Sequence, residues 1–339
     1  MSQEFKPSWM RTETLELPYL LARQAMHIQS QLQPILDKVR ARGLDEVVAC
    51  GRGSSAHAIA YGQALFQNYL GIRFSICPPS VASIYGLTVG FTEKSLAVFV
   101  SQSGQSPDLV KSAELARQAG ILTVAFVNST DSGLSRACEH TINIGAGSEK
   151  SVAATKSCIC SMTALAHLGA SWKGNSGLVF DLDRLSNVLF SSKNSKRWEG
   201  RLNGLDNWNN SLAVLGRGLT TPIALEIALK LKETCSLHAE AFSAAEFQHG
   251  PLALAGPNFA CIACVPTDNA QDGLLELLER LSTLKSPIIK LEKAEGGNTS
   301  VLDPIVMLFE AYMAIETLAR KRGFDPDKPD KLTKVTETV

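Results

Sequence analysis

Residues 222–251 have the sequence PIALEIALKLKETCSLHAEAFSAAEFQHGP, in which a helical segment carries a stripe of charged side chains. At about 100° per residue, Glu226, Lys230 and Glu233 fall within roughly 60° of one another. The other positions of this helix are mostly aliphatic, which predicts that the stripe faces a partly buried space. His249 follows in a loop. The pattern is suited to acid and base catalysis, although an ordinary surface pair of Glu and Lys has the same spacing.

The composition is that of a globular protein with room for two domains. The chain has 339 residues, of which 45% are hydrophobic and 19% are charged, and its formal net charge is zero. A neutral chain has no electrostatic footprint for nucleic acid, and no apolar run approaches the roughly 18 residues needed to cross a bilayer. The first residues also lack a secretion signal. We therefore expect a cytoplasmic protein that binds neither nucleic acid nor membrane.

The eight cysteines are scattered among apolar neighbours, which indicates a reducing compartment and thiols packed as small hydrophobic groups. Cys261 and Cys264 have the spacing of a redox or zinc pair. They lie in FACIACV, however, which is typical of a buried strand, where side chains three apart face opposite sides. We therefore expect no metal site.

Strands and helices alternate in the first half of the chain, which predicts an open parallel sheet with helices on both faces. The first strand, residues 45–50, leads into GRGSS at 51–55 and then a helix. A glycine turn at a helix start is an anion cradle. A dinucleotide site is the alternative, but Ala56 replaces the third glycine of that motif. The turn therefore favours a phosphate.

A second polar turn follows the next apolar strand, residues 94–100. It has the sequence SQSGQSPD at 101–108 and opens another helix. Simple capping of that helix is one interpretation. Two such turns at the carboxyl ends of parallel strands should meet in one crevice, however, and this favours a small phosphorylated ligand.

The same order of elements restarts in the second half. Further strands are expected at 121–128 and 140–147, and a polar connection at 171–205. A strand at 211–215 then leads into a second GRG, at 216–218. We interpret this as an internal duplication, with phosphate binding in the first lobe and ionisable groups in the second. The predicted boundaries are 1–43 (helical segment), 44–190 (first lobe), 191–323 (second lobe) and 324–339 (tail). Composition alone predicts a disordered tail.

Five motifs in this order resemble the sugar-isomerase (SIS) domain family, most closely the paired isomerase domains of glucosamine-6-phosphate synthase. They are GRGSS, SQSGQSPD, SEKSVAATK, the segment from LGRG to HGPLAL, and the terminal KLTKV. The resemblance extends from Met10 to Val339. It implies an α/β fold of two tandem SIS lobes, each an open, mostly parallel sheet flanked by helices, with an ordered C-terminal tail.

The resemblance also implies roles for individual residues. Glu233 resembles the base that moves a proton between C1 and C2 of the sugar, and His249 the group that assists ring opening. Lys230 and Glu226 resemble their supporting partners, and Lys334 the lysine that closes over the open-chain sugar. In the family the histidine comes from the neighbouring subunit, which implies a homodimer with a shared active site. The residues that resemble the sugar-phosphate pocket are Ser54, Ser55, Ser101, Gln102, Ser103 and Ser106, with Val152 at the sugar.

Two departures from the synthase pattern bear on the reaction. The sequence begins MSQEF with no cysteine before Cys50, so we expect no glutaminase half, and Ala154 replaces a serine. The expected activity is therefore that of SIS-type glucosamine-6-phosphate deaminases, which need no cofactor. The alternatives are a galactosamine-6-phosphate deaminase, a deglycase, a ketose/aldose phosphate isomerase, or a sugar-phosphate sensor without turnover.

Overall fold

The computed structural model describes residues 7–88, 90–193, 197–293 and 301–334, except the side chains of Arg197 and Glu199. The strands in this part are β1 (Glu46–Gly51), β2 (Arg73–Ile76), β3 (Ser95–Ser101), β4 (Leu122–Val127), β5 (His140–Asn143), β6 (Leu212–Gly216), β7 (Ala239–Ser243), β8 (Ala260–Cys264) and β9 (Ile288–Leu291). The helices are α1 (Trp9–Arg42), α2 (Gly53–Leu65), α3 (Ser80–Ser83), α4 (Pro107–Gln118), α5 (Gly133–Ala137), α6 (Lys156–Lys173), α7 (Ser176–Ser192), α8 (Arg197–Arg201), α9 (Thr221–Cys235), α10 (Ala244–Phe247), α11 (Gln271–Thr283) and α12 (Asp303–Lys321).

The first five strands form one parallel sheet in the order β2-β1-β3-β4-β5. Every residue of β3 and β4 is buried. Such continuous burial explains why their sequences, SLAVFVS and LTVAFV, are almost uniformly apolar rather than alternating. The last four strands form a second parallel sheet, in the order β7-β6-β8-β9. The strand order of the second sheet is the same as that of the first four strands of the first sheet.

The chain divides into two compact units, one around each sheet. Of the described residues, the five-stranded unit contains 18–88, 90–148 and 157–186. The four-stranded unit contains the described residues 7–17, 149–156, 187–193, 197–293 and 301–334. The loop 149–156, which the predicted boundaries assign to the first lobe, is thus part of the four-stranded unit. The predicted class, α/β with two sheets flanked by helices, is confirmed.

Two elements differ from the sequence-based expectations. The region 171–205, interpreted as a polar connection, contains the 17-residue helix α7. Its buried residues Leu178, Leu182, Leu185 and Leu189 have helical spacing, a signal that the glycines and serines around them obscured. Strand β7 was also missed, because its sequence AEAFS contains two alanines and a glutamate, residues that are uncommon in strands.

The cysteines of the described residues are free thiols, and each of them is buried. Cys261 packs in the core cluster on one face of the four-stranded sheet, together with Ala213 and Ala263. Cys264 is also fully buried but lies outside that cluster. The two thiols therefore occupy opposite faces of β8, as the strand interpretation predicted.

None of the helices in the described residues combines the length and the apolar character that crossing a membrane requires.

A buried histidine gives the five-stranded unit a measurable pH dependence. His167 lies on α6, where it is 2% exposed and its Nδ1 is 3.5 Å from Gln29 Nε2. Burial lowers the pKa of His167 from 6.5 to about 4. Between these two values the unfolded chain binds a proton that the folded chain does not bind. The free energy of unfolding should therefore decrease as the pH falls from 6.5 towards 4.

We expect His167→Asn, which keeps an acceptor near the position of Nδ1 and does not titrate, to flatten this dependence. Urea midpoints at pH 7, 5.5 and 4.5 measure the slope. The matched control is His27→Asn, at an exposed position of α1, which should retain the slope of the unmodified protein. Equal slopes for the His167 variant and the unmodified protein would contradict the assignment.

Candidate active site

The predicted phosphate-binding residues lie at the switch point of the five-stranded sheet. From β1 the chain passes to β2 on one side and then to β3 on the other, so the carboxyl ends of β1 and β3 are adjacent. The turns 51–55 and 101–106 follow these two ends. Open parallel sheets bind ligands in the crevice at such a point. The structure thus places two serine-containing turns side by side, with Ser54 and Ser55 in one and Ser101, Gln102, Ser103 and Ser106 in the other.

An ion pair ties the two turns together. Arg52 donates from Nε and Nη2 to Asp108 Oδ2, at 2.9 Å and 2.6 Å. The Asp108 side chain is fully buried in the first turn of α4, whereas about half of the Arg52 side chain is exposed. A buried carboxylate with a charged donor has a fixed position, so the pair sets the spacing between the two turns. The sequence interpretation used Asp108 only as a helix start and missed this contact.

The turn after β3 has a conformation that requires glycine. Gly104 has a φ of 64°, and a Cβ at this position would lie 2.2 Å from Ser132 Oγ. The buried Ser101 accepts a hydrogen bond from the Gly104 backbone N–H at 3.0 Å. Ser101 therefore stabilises the turn itself. Gln102, Ser103 and Ser106 remain partly exposed.

The turn after β1 opens directly into α2. The helix starts at Gly53, and Arg52 before it provides no side-chain cap. N–H groups without a partner in the first turn of a helix favour an anion. In this turn the Ser55 N–H donates to the Arg52 carbonyl at 3.1 Å. Ser54 and Ser55 are partly exposed in this turn, and the Cys158 thiol donates to the Ser54 carbonyl at 3.4 Å. The geometry is that of an anion cradle.

The second GRG turn has a different geometry. Here Thr220 Oγ1 accepts from the Arg217 backbone N–H at 3.0 Å and donates to the Cys264 carbonyl at 2.8 Å. A Cβ on Gly216 would be 2.5 Å from the Thr220 carbonyl oxygen. Because the threonine fills this turn, it lacks the open cradle of its counterpart in the five-stranded unit.

The charged stripe on α9 forms a buried cluster in the four-stranded unit. Lys230 Nζ donates to Glu233 Oε2 at 2.5 Å and lies 3.4 Å from Glu226 Oε1. Tyr312, on α12, donates its hydroxyl to Glu226 Oε1 at 3.0 Å. The predicted grouping on one face of a helix is thus observed, and Tyr312 is an additional member that sequence reasoning missed. Tyr312 and Glu226 are 86 residues apart in the sequence, so local periodicity could not reveal this contact.

Exposure distinguishes the two carboxylates. The side chains of Lys230 and Glu226 are 0% and 1% exposed, whereas that of Glu233 is 20% exposed. A buried charge is costly unless it is paired, so the ammonium between two carboxylates explains how three ionisable groups share this space. Glu233 is the member that reaches the surface and can contact a ligand.

His249 lies apart from this cluster within one chain. Glu233 is in the last turn of α9, after which the chain turns and enters β7 at Ala239. His249 is exposed, and it follows the other end of β7 and the short helix α10. The five residues of β7 span about 17 Å. Glu233 and His249 of one chain are therefore near opposite ends of this strand.

The loop 149–156 and the tail form a second charged group in the four-stranded unit. Lys334 Nζ donates to Glu149 Oε2 at 3.0 Å and to the Ser151 carbonyl at 2.6 Å. The Val152 backbone N–H donates to the Asp327 carbonyl at 3.3 Å, and the Val152 side chain is half-buried. The tail is therefore fixed as far as Lys334, as the resemblance implied and composition alone did not.

Glu13 supports the same loop from α1. Its carboxylate accepts the backbone N–H groups of Lys150 and of Ser151, the latter at 3.2 Å. Burial is the largest influence and raises the pKa of Glu13, against these two hydrogen bonds. In the described residues we find no group of three or more His, Cys, Asp or Glu side chains arranged to hold a metal ion.

The SIS domain model matches this chain over residues 45–170 and again over 205–302. A curated relative, glutamine–fructose-6-phosphate aminotransferase (isomerizing) from Pyrobaculum aerophilum, is 31% identical over 360 residues. That alignment covers 98% of this chain and 58% of the relative. The chain thus spans little more than half the length of the curated proteins it matches.

Solved structures agree with the match. A candidate phosphosugar isomerase from Silicibacter pomeroyi DSS-3 has a TM-score of 0.87 and 32% identity, and the match covers 95% of this chain and 100% of that one. Glucosamine-6-phosphate deaminase from Thermotoga maritima has a TM-score of 0.77 at 21% identity, over 98% of this chain and 100% of that one, and so shares its fold. With both sheets matched, this chain belongs to the SIS domain family, whose fold is that of phosphosugar isomerases.

Proposed function

We propose that the protein catalyses aldose–ketose isomerisation with deamination of an amino-sugar phosphate, and that its substrate is glucosamine 6-phosphate. The observation that carries the proposal is the Glu226–Lys230–Glu233 cluster, in which one carboxylate is held by a buried ammonium and is partly exposed. Such a carboxylate is a fixed general base. The products are fructose 6-phosphate and ammonium.

The phosphate is bound by the two turns at the switch point. The first turn of α2 provides backbone N–H groups and the hydroxyls of Ser54 and Ser55. The turn after β3 adds the side chains of Gln102, Ser103 and Ser106, with Ser101 holding its shape. Hydroxyl and amide donors of this kind suit the oxygen atoms of a phosphate and of an open-chain sugar.

The chemistry is a proton transfer followed by hydrolysis. Glu233 removes the proton from C2 of the open-chain aldehyde and returns it to C1. As the C=N bond forms, the amino group loses one proton and the C1 oxygen gains one. The aldehyde carbon thus becomes a CH₂OH group, and an imine is left at C2. Water adds to this imine, and ammonia leaves and takes up a proton. Lys230 positions Glu233 through its 2.5 Å hydrogen bond. Glu226 is the second carboxylate beside the same ammonium, at 3.4 Å.

His249 assists ring opening from a second copy of the chain. Its separation from Glu233 by the length of β7 favours a histidine contributed by the partner in a homodimer, as the family resemblance implies. Val152 contacts the sugar from the loop 149–156, and Lys334 closes over the open-chain form from the tail.

The relatives favour an amino sugar. The name of the Pyrobaculum relative describes transfer of nitrogen from glutamine to fructose 6-phosphate together with isomerisation. Run in the opposite direction with ammonium as the nitrogen product, the same carbon chemistry gives the reaction proposed here. Isomerisation of a phosphosugar without deamination is the second candidate, because the Silicibacter protein, at 32% identity, is described as a candidate phosphosugar isomerase.

A coupled assay tests the proposal. The purified chain is incubated with glucosamine 6-phosphate, and fructose 6-phosphate and ammonium are measured in parallel. We expect the two products in equal amounts. A panel containing galactosamine 6-phosphate, a glycated amine 6-phosphate and 6-phosphosugars without nitrogen distinguishes a galactosamine-6-phosphate deaminase, a deglycase and an isomerase. Binding of these sugars without turnover of any of them would indicate a sensor and contradict the proposal.

Removal of the tail lysine should impair substrate use. Lys334→Met deletes the ammonium that joins Glu149 and the Ser151 carbonyl, so the loop 149–156 loses its tie to the tail. We expect kcat/KM for glucosamine 6-phosphate to fall at least about tenfold, the equivalent of one charge-assisted hydrogen bond. Lys331→Met, at an exposed tail position, is the control and should leave kcat/KM unchanged. Equal values for the two variants would exclude a role for Lys334.

A further inference from the structure

Two cysteines stand side by side at the edge of the crevice. Cys50 is in β1, and Cys77 follows directly after β2. The register pairs Ala49 with Ile76, so the next pair is Cys50 and Cys77, and the Cys77 backbone N–H continues the ladder by donating to the Ala49 carbonyl at 2.9 Å. Paired residues of parallel strands direct their side chains to the same face. Both thiols indeed belong to the same core cluster.

This placement meets the geometric requirement for a disulfide. Neighbouring strands lie about 4.8 Å apart, and the Cα atoms of bridged cysteines are usually about 4.4–6.8 Å apart. The two thiols lie close enough for each to shift the pKa of the other. Space at Cys77 depends on Gly90, where a Cβ would be 2.7 Å from Cys77 Sγ. The bond can therefore form after a small shift of the two strand ends towards each other.

The pair is also chemically distinct from the other thiols. The hydrogen bond from Cys50 lowers the pKa of Cys77 to about 7, and the same bond raises the pKa of Cys50. Burial instead raises the pKa of Cys138, of Cys235 and of Cys261 to about 12. Since the thiolate is the reactive form, Cys77 is the nucleophile of the pair, and Cys50 is the resolving thiol beside it.

We propose that Cys50 and Cys77 are an oxidative modification site, at which a peroxide forms a reversible disulfide beside the phosphate-binding turn. The Cys77 thiolate attacks one oxygen of hydrogen peroxide, the O–O bond breaks, and a sulfenic acid and water result after protonation. The Cys50 sulfur then attacks Cys77 Sγ, the S–O bond breaks, and a second water leaves with the Cys50 proton. The two thiols lose two electrons in total, and the peroxide gains them. A dithiol reductant reverses the change.

We expect the disulfide to affect the turn after β1, because the backbone at the end of β1 is closely packed and cannot move independently of that turn. Cys50 directly precedes Gly51, where a Cβ would be 2.6 Å from Ile59 Cδ1 and 3.2 Å from the Val100 carbonyl. An S–S bond of about 2.0 Å brings the two sulfurs closer than any hydrogen bond does. We expect the movement to pass to Arg52 and to the start of α2. Formation of the disulfide does not depend on the proposed reaction, whereas its effect on substrate use rests on it.

Mass spectrometry of the unmodified, folded protein tests the site. The protein is treated with graded hydrogen peroxide, alkylated and digested with trypsin. Cys50 then lies in the peptide 43–52 and Cys77 in the peptide 74–94, each as the peptide's one cysteine. We expect these two peptides to become linked, with the loss of two hydrogen atoms, and dithiothreitol to separate them. Cys77→Ser should abolish the link, and Cys138→Ser, which removes another thiol of the same core cluster, should retain it.

Failure to link these peptides, or equal oxidation of Cys138 and Cys77, would overturn the proposal. In parallel, the KM for glucosamine 6-phosphate is measured before and after peroxide. We expect it to rise several-fold, to recover with dithiothreitol, and to be insensitive to peroxide in Cys77→Ser. A linked protein with an unchanged KM would overturn the coupling to the turn. A reduced protein without turnover would contradict the proposed function instead. Mass spectrometry of the linked peptides would still test the disulfide in that case.

Discussion

Glu233→Gln should lower kcat for glucosamine 6-phosphate by about 10²–10⁴-fold, with KM nearly unchanged. Glutamine keeps the size of the side chain and an acceptor oxygen for Lys230, which is 2.5 Å away, but it cannot take a proton from carbon. The phosphate contacts proposed above all belong to the five-stranded unit and do not include this residue. Loss of rate without loss of binding is the signature of an interaction made only in the transition state.

The matched control is Glu276→Gln, which removes one carboxylate from the exposed face of α11 in the same unit. Its kcat should equal that of the unmodified protein. Isothermal calorimetry with glucosamine 6-phosphate shows whether the Glu233 variant still binds the sugar. A Glu233 variant with full turnover would remove this residue from the chemistry, and one that no longer binds the sugar would make it a binding residue.

The family resemblance pointed to Glu233 rather than Glu226 as the base, and the structure supplies a physical reason for that choice. In the sequence the two glutamates are equivalent members of one stripe, each close to Lys230. The structure shows that Glu226 is 1% exposed and is occupied by Tyr312 and Lys230, whereas Glu233 is 20% exposed. Accessibility depends on which helices cover α9, and α12 covers it from a distant part of the sequence.

The local parts of the site could be predicted from the sequence because they follow local rules. Helical periodicity places Glu226, Lys230 and Glu233 on one face, and apolar strands followed by glycine and serine turns mark the carboxyl ends of a parallel sheet. The adjacency of β1 and β3 then follows from the way such sheets are wound. The positions of the charged cluster on α9 and of the two serine-containing turns, each within its own unit, were predicted in this way.

The missed parts depend on contacts between distant residues. The Arg52–Asp108 pair joins positions 56 residues apart, and the Tyr312 contact joins positions 86 apart. Composition alone predicted a disordered tail. In the structure, however, the Asp327 carboxylate accepts hydrogen bonds from the backbone N–H groups of Trp9 and Met10, at 2.7 Å and 2.8 Å. Such a contact with the start of α1 leaves no trace in local composition, and only the family resemblance suggested that the tail is ordered.

Lys230→Met should destabilise the four-stranded unit by about 3–5 kcal/mol, the usual cost of leaving a buried charge unpaired. Methionine fills much of the lysine volume but removes the ammonium that lies 3.4 Å from Glu226 Oε1, while the hydrogen bond from the Tyr312 hydroxyl to Glu226 is retained. The urea midpoint at pH 7 measures the loss. Lys232→Met, which changes an exposed lysine of the same helix, should leave the midpoint within about 0.5 kcal/mol of the original.

A second substitution separates charge from packing. If the loss in Lys230→Met comes from the unpaired carboxylate, then Glu226→Gln in the same protein removes that charge and keeps an acceptor for Tyr312. We expect the double variant to recover much of the lost stability, because replacing both members of a buried ion pair costs far less than removing one. The single variant should also regain stability as the pH falls, since a protonated carboxyl carries no charge. A double variant no more stable than the single one would instead assign the loss to the packing of the lysine side chain. The surrounding fold, rather than the balance of charges, would then explain why the cluster is buried.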